Sequence, residues 1–339
     1  MNYRSYEDLV RDIRVNLGRI AADEYDLVVG IPRSGMIPAY ILALYLNVSC
    51  VDLPSFINNS RIVAGNTRSI RHEVSFPWDA KRVLLVDDSI MTGSSFRAAV
   101  ASLPPEYRGR ISTLVVYSTT HQPEGVDVCL AHVPAPRVFE WNIFHHYVMS
   151  KACVDMDGVV CAAPAEGEPV DRYTRSIAEE RPYIVPTPTI HTLITRRPPE
   201  SRREVELWLR THGVKYRNLV MLGPEATREM PATDALIRRL SEYYYARSEL
   251  MLYVAGDPVQ AERIVSQTGK PVYCVGDNWM RRSGLLETLR AARTMGGTGI
   301  AIARLLPQPI RHWLRPLYDR LRISGAGKDG SVGSSESSG

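Results

Sequence analysis

At 339 residues the chain is long enough for two domains of ordinary size, and its 45% apolar content can fill sizeable cores. The five cysteines, Cys50, Cys129, Cys153, Cys161 and Cys274, are few, odd in number and set in apolar runs, which points to a reduced cytoplasmic protein and away from a disulfide scaffold. The net charge of +4 is uneven: nine arginines within residues 281–323 stand against Glu287 and Asp319, a local +7 that leaves about −3 elsewhere and gives no case for a nucleic-acid partner.

Residues 1–8 do not read as a signal peptide, and no uninterrupted apolar run is long enough to span a bilayer. The spacing of Leu9, Ile13, Leu17 and Ile20 predicts a helix over 5–21. A strand over 25–29 then runs into the turn Gly30-Ile31-Pro32-Arg33-Ser34-Gly35, followed by a helix over 37–46 and a strand over 48–53. This is a βαβ rhythm and implies a parallel sheet. In the turn, the glycines permit close backbone approach to a ligand, and Arg33 can fork onto a diphosphate. Residues 57–73 are polar and basic, carrying Arg61, Arg68 and Arg71, and are expected to form either a closing loop or a solvated hairpin.

Val83 to Val86 reads as a buried parallel strand, with Asp87 and Asp88 where it ends and a helix over 96–103. The small residues Ser89, Thr92, Gly93, Ser94 and Ser95 lie between strand and helix. Backbone N–H groups there can converge on an anion, helped by the positive end of the helix dipole and by the hydroxyls. A phosphate cradle beside two carboxylates suits a sugar phosphate, with the acids taking vicinal hydroxyls or Mg²⁺. Further strands are expected over 111–118 and 126–133. The aromatic segment 137–146 offers Phe139 or Trp141 either to stack on a base or to fill core.

The stretch Arg82 to Ser95 resembles the 5-phosphoribosyl-1-diphosphate (PRPP) motif of type I phosphoribosyltransferases, and Gly30 to Gly35 resembles the pyrophosphate loop of the same family. The resemblance implies that Arg33, Ser34, Gly35, Asp87, Asp88, Ser89, Thr92, Gly93, Ser94 and Ser95 bind PRPP, with Mg²⁺ as cofactor and a small nitrogenous base as acceptor. In 6-oxopurine enzymes of the family an Asp often precedes the Thr-Gly; here Met91 stands in its place, which weakens hypoxanthine-guanine transfer as an expectation but not PRPP binding.

A second series begins at Lys151. A short apolar strand ends in Asp155-Met156-Asp157-Gly158, which puts two carboxylates at i and i+2 on a strand end. Strands follow over 190–195, 220–222, 250–254 and 272–275, with a helix over 200–213. Asp-x-Asp-Gly resembles motif I of the haloacid dehalogenase (HAD) phosphatases, Ile190 to Arg197 resembles motif II, and Gly256-Asp257 resembles motif IV. The resemblance implies Asp155 as nucleophile, Asp157 as general acid and base, Thr195 on the phosphate of a phosphate ester, and Mg²⁺ on Asp155, Asp157 and Asp257. Two departures qualify it. No lysine precedes the motif IV strand, where Arg238, Arg239 and Arg247 are the nearest cations, and Ala255 stands where a second acid is common.

The expected organisation is α/β throughout: a type I phosphoribosyltransferase domain over 1–149 and a HAD-like hydrolase domain over 150–295, each a Rossmann-like parallel-sheet fold. A basic amphipathic segment over 296–323 and a Gly/Ser-rich, disordered tail over 324–339 complete it. Two functions follow from these resemblances. One is a phosphoribosyltransferase of nucleotide metabolism whose second domain removes the product's phosphate; the other is a regulatory protein that senses PRPP or nucleotide without turnover. Homo-oligomer formation is left open.

Overall fold

A computed structural model describes residues 1–20, 25–63, 65, 69–163, 177–223 and 232–284. The chain divides into two compact units, the first comprising Met1–Met149 with Pro186–Pro188 and the second beginning at Ser150. Arg68, the end of the expected second domain, and the segments 296–323 and 324–339 lie outside the described residues.

The first unit opens with β1 (Asn2–Arg4) and α1 (Tyr6–Val15). A reciprocal cap starts α1: the Ser5 hydroxyl accepts the Asp8 N–H, and the Asp8 carboxylate accepts the Ser5 N–H, both at 3.1 Å. This sets Leu9 and Ile13 into the core. The helix is shorter than its apolar spacing predicts, because Gly18 follows and the chain tightens into a 3-10 turn over Leu17–Arg19. The remaining elements are β2 (Leu27–Gly30), α2 (Met36–Leu46), β3 (Ser49–Asp52), α3 (Leu53–Ile57), β4 (Val83–Ile90), α4 (Ser94–Ala101), β5 (Ile111–Ser118), β6 (Val128–His132) and β7 (Arg137–Phe139).

Strands β3-β2-β4-β5-β6 form one sheet with every pairing parallel. Alternate residues of β2 and β4 feed two cores: Val28, Leu84 and Val86 pack with α1 and α2 residues, while Leu27, Val29, Val83 and Leu85 pack with Leu53 and Phe56. That burial on both faces is what continuous apolar strands require. From β2 the chain goes to β3 on one side, then returns to β4 on the other. The carboxyl ends of β2 and β4 therefore flank a topological switch point, where open α/β sheets bind ligands. A short parallel pair, β1 with β7, was not expected, since three residues a strand carry no periodicity.

Strand β4 does not end at Val86. It runs on to Ile90 because β5 continues beside it, pairing Asp87 with Val115 and Ile90 with Ser118. The acids sit inside a ladder rather than after it.

The second unit contains β8 (Ala152–Asp155), β9 (Ile190–Thr195), α5 (Arg202–Thr211), β10 (Tyr216–Met221), α6 (Ala232–Tyr245), β11 (Leu252–Ala255), α7 (Pro258–Thr268), β12 (Val272–Cys274) and β13 (Trp279–Arg281). Sheet order is β10-β9-β8-β11-β12-β13, again with a switch point, here between β8 and β11. The sheet is mixed and not wholly parallel: β13 turns back antiparallel to β12 through a tight turn in which Asn278 adopts φ 54°. Strand β10 starts earlier than its apolar residues suggest, because it is an edge strand whose Arg217 and Asn218 are exposed. Among the described residues no helix is long and apolar enough to cross a membrane.

Candidate functional site

In the first unit the turn after β2 and the end of β4 meet at the switch point. Gly35 lies against the acids so closely that a Cβ there would fall 2.5 Å from the Ile31 carbonyl, 2.8 Å from Asp87 Oδ1 and 2.9 Å from the Val86 carbonyl. Only glycine fits. Next to it, Ser34 Oγ donates to Asp88 Oδ1 at 2.8 Å. Asp88 is buried, and its other oxygen, Oδ2, accepts the indole N–H of Trp141 at 2.8 Å. Asp87 is half-buried, and its Oδ1 accepts the Asp88 backbone N–H at 2.9 Å. Burial, with the neighbouring Asp88 charge, holds the Asp87 carboxyl well above the ordinary carboxylate range.

The turn expected after the acids leads into a helix. Gly93 takes φ +76° and precedes α4, which starts at Ser94, two residues earlier than its apolar content suggests. The first-turn N–H groups of α4 have no intrahelical acceptor. Thr92, Ser94 and Ser95 are exposed beside them, with Thr92 Oγ1 and Ser94 Oγ 3.2 Å apart. Arg33 is exposed on the upstream turn, and Ser89 is half-buried in β4, opposite Tyr117 of β5 in the strand register. Phe139 is core, 3% exposed. Arg61 and Arg71 are exposed, and the Arg71 N–H donates to the Asn47 carbonyl at 2.9 Å.

In the second unit Asp155 closes β8, Asp157 follows two residues on, and Thr195 closes the neighbouring β9. They line one narrow cleft together with Arg196 and Gln260, against an apolar wall of Leu222, Leu236 and Leu240. Asp155 Oδ1 accepts the Tyr253 hydroxyl, and Oδ2 accepts the Gln260 amide at 2.6 Å. Asp157 Oδ2 accepts Thr195 Oγ1 at 2.9 Å and the Arg196 N–H at 2.8 Å. Behind the pair lies Arg197, a fully buried guanidinium whose Nε is 3.7 Å from Asp157 Oδ1 and whose Nη2 is 3.2 Å from Glu180. Asp257 is not brought to the pair. It is exposed and caps α7, accepting the Gln260 N–H at 2.7 Å.

Residues 2–148 match the family described as the phosphoribosyl transferase domain. The first unit is a type I phosphoribosyltransferase domain. Over 147 residues the chain is 25% identical to the xanthine-guanine phosphoribosyltransferase of Idiomarina loihiensis, covering 42% of this chain and 88% of the relative. Over 100 residues it is 31% identical to the enzyme of that name from Chromohalobacter salexigens, covering 30% of this chain and 60% of the relative. Among solved structures, the purine phosphoribosyltransferase of Pyrococcus horikoshii is similar at 18% identity, with 41% of this chain and 92% of that one covered and a TM-score of 0.30. The xanthine-guanine-hypoxanthine phosphoribosyltransferase of Helicobacter pylori is similar at 18% identity, with 42% and 93% covered and a TM-score of 0.31.

In both units three of the four oxygens of the acid pair accept internal donors, at Asp87 and Asp88 from Ser34, Trp141 and the Asp88 N–H. In the transferase domain, adjacent carboxylates at a ligand crevice offer the hard oxygens that a Mg²⁺ carried by a diphosphate accepts. In the second unit three of the four oxygens of Asp155 and Asp157 already accept internal donors, the fourth faces a guanidinium, and Asp257 is engaged as a cap. Among the described residues no three His, Cys, Asp or Glu side chains group as a metal site. Of the Asp155 and Asp157 oxygens, Asp157 Oδ1 is the one buried without a hydrogen-bond partner and left to meet a cation. Tyr253, Gln260, Arg197 and Glu180 escaped the sequence reading. The signal for Arg197 was its place two residues after Thr195; the other three carry no motif and depend on which strands and helices pack together.

Burial pushes Asp155 up to about 7; the Tyr253 hydroxyl, Arg196 and Gln260 oppose that rise and Asp157 adds to it. An unfolded Asp titrates near 4. Between roughly pH 4 and 7 the folded chain thus holds a proton that the unfolded chain has released, so this group's contribution to stability is lost as pH rises through that window. The thermal midpoint of the second unit should fall from about pH 4 to 7, and Asp155→Asn should flatten the fall. Calorimetry across that range checks it; a profile indifferent to the substitution would assign the titration elsewhere.

Proposed function

We propose that the first domain transfers ribose 5-phosphate from PRPP to a purine base and releases diphosphate. The observation that carries this reading is the meeting of the Gly35 turn, the Asp87–Asp88 pair and the N-terminus of α4 around one switch point. In this reading the α4 N-terminus with Thr92, Ser94 and Ser95 holds the 5-phosphate, Asp87 and Asp88 hold the ribose hydroxyls, and Arg33 with the 30–35 turn holds the diphosphate. Mg²⁺, when bound with PRPP, neutralises the leaving diphosphate. Positive charge develops at the anomeric carbon as the bond to diphosphate breaks, so positioning and electrostatic stabilisation supply most of the rate. The purine class is supported by the xanthine-guanine relatives. Met91, 63% exposed, replaces the acid that 6-oxopurine enzymes often use on the base, so the preferred purine is to be found by trial.

The second unit we read as a module without phosphatase turnover, because both oxygens of Asp155, the expected nucleophile, accept internal donors and Asp257 caps α7.

One set of incubations tests both readings. The full chain is given PRPP, Mg²⁺ and xanthine, guanine, hypoxanthine or adenine in turn, and diphosphate release and product mass are followed. A nucleotide monophosphate is expected with at least one base, with its phosphate retained. Tight PRPP binding without product would favour a sensing role, and a dephosphorylated product lost with Asp155→Asn would restore the hydrolase.

A further inference from the structure

We infer that Trp141 is a positioning residue for PRPP, acting through Asp88 and not by stacking on the base; the inference rests on the transferase reading. Asp88 is only 4% exposed, and its two oxygens are held from opposite parts of the domain. Ser34 of the pyrophosphate turn donates to Oδ1, and Trp141, from the 3-10 turn Glu140–His145 that follows β7, donates to Oδ2. A carboxylate rotates broadly about its terminal torsion, and a separate donor on each oxygen fixes its plane. Both bonds, at 2.8 Å, have ordinary hydrogen-bond lengths.

The indole is itself held. Its ring lies 4.8 Å from Phe139 at an interplanar angle of 2°, and 5.6 Å from Tyr6. The Glu140 carboxylate accepts the Tyr6 N–H at 2.9 Å, tying the start of α1 to the same turn. Beneath Asp88, the buried guanidinium of Arg137 donates to the Ile90 carbonyl at 2.8 Å and adds attraction for the carboxylate. An indole carries one donor and no acceptor, and here that donor is spent on an acid of the PRPP motif. Asp88 becomes the joint between the pyrophosphate turn and the aromatic segment, and its remaining lone pairs keep a fixed direction toward the ribose hydroxyls.

The test uses Trp141→Phe, which keeps an aromatic ring against Phe139 and Tyr6 but removes the donor. Loss of one hydrogen bond to a charged group predicts about a tenfold or greater rise in the PRPP dissociation constant and in KM for PRPP, with KM for the base unchanged. In an Asp88→Asn background the same substitution should cost less than about twofold, since the two residues act as one unit. The Trp141 indole ¹H–¹⁵N resonance should also shift on Asp88→Asn in the ligand-free full chain. Equal losses of PRPP affinity in both backgrounds, a rise confined to KM for the base, or an indole resonance indifferent to Asp88→Asn would each overturn the inference. Should Trp141→Phe not fold, the indole resonance decides. A wild type that binds no PRPP but whose indole responds to Asp88→Asn sinks the transferase reading and the inference's role in it, and the intact resonance response distinguishes that failure from a missing contact.

Discussion

The double variant Asp87→Asn/Asp88→Asn should bind PRPP at least two orders of magnitude more weakly than the wild type while keeping its fold. Each carboxylate that accepts from a ribose hydroxyl contributes about 1.5–3 kcal/mol as a charged acceptor, so the pair accounts for roughly 3–6 kcal/mol, or 10²- to 10⁴-fold in affinity. Folding should survive because ionised Asp87 is already disfavoured by burial beside Asp88. An amide relieves that conflict and keeps one oxygen as acceptor for Ser34 or Trp141. Calorimetric titration of PRPP in the presence of Mg²⁺, with circular dichroism as the folding control, decides it. Unchanged affinity would place the sugar phosphate away from β4.

The largest effect on stability is expected from Arg197→Met. The guanidinium is fully buried between Asp157 and Glu180, so its loss strands the buried Asp157 and the half-buried Glu180. Breaking a buried pair from one side costs about 3–5 kcal/mol, which for a unit of this size lowers the thermal midpoint by roughly 6–20 °C. The contrast is Arg202→Met, which removes an exposed pair with Glu206 on α5. Surface pairs of this kind contribute little. Scanning calorimetry of both variants is the measurement, and a shift for Arg197→Met no larger than for Arg202→Met would show that the acids are neutralised in another way.

What was legible in the chain was whatever short-range pattern dictates. Four apolar residues, two acids and a Thr-Gly pair set out β4, its carboxylates and the turn into α4, since strand periodicity and glycine's conformational freedom act over a few residues. The end of β4 was misplaced because Asp87 and Asp88 look like a strand end locally, whereas β5 supplies backbone partners as far as Ser118. The antiparallel β13 and the pairing of β1 with β7 depend on partners far away in the sequence. The roles of Trp141 and Tyr253 were hidden for the same reason: each donates to an acid 53 or 98 residues distant. Asp257 shows the converse. The resemblance to motif IV implied a metal ligand, but three residues on lies the N–H that it caps.

The continuation of β4 beyond Val86 bears on how the crevice meets a ligand. Asp87 and Ser89 belong to a backbone ladder with β5, so the amides around them share the protection of the sheet interior and not the fraying of a loop. A binding group mounted on such a strand arrives already ordered, and little conformational entropy is surrendered when the sugar docks. The ordering cost is left to the turns that flank the strand. In the transferase reading, association should be limited by how those turns settle around the phosphates, with the carboxylates as the fixed reference against which they close.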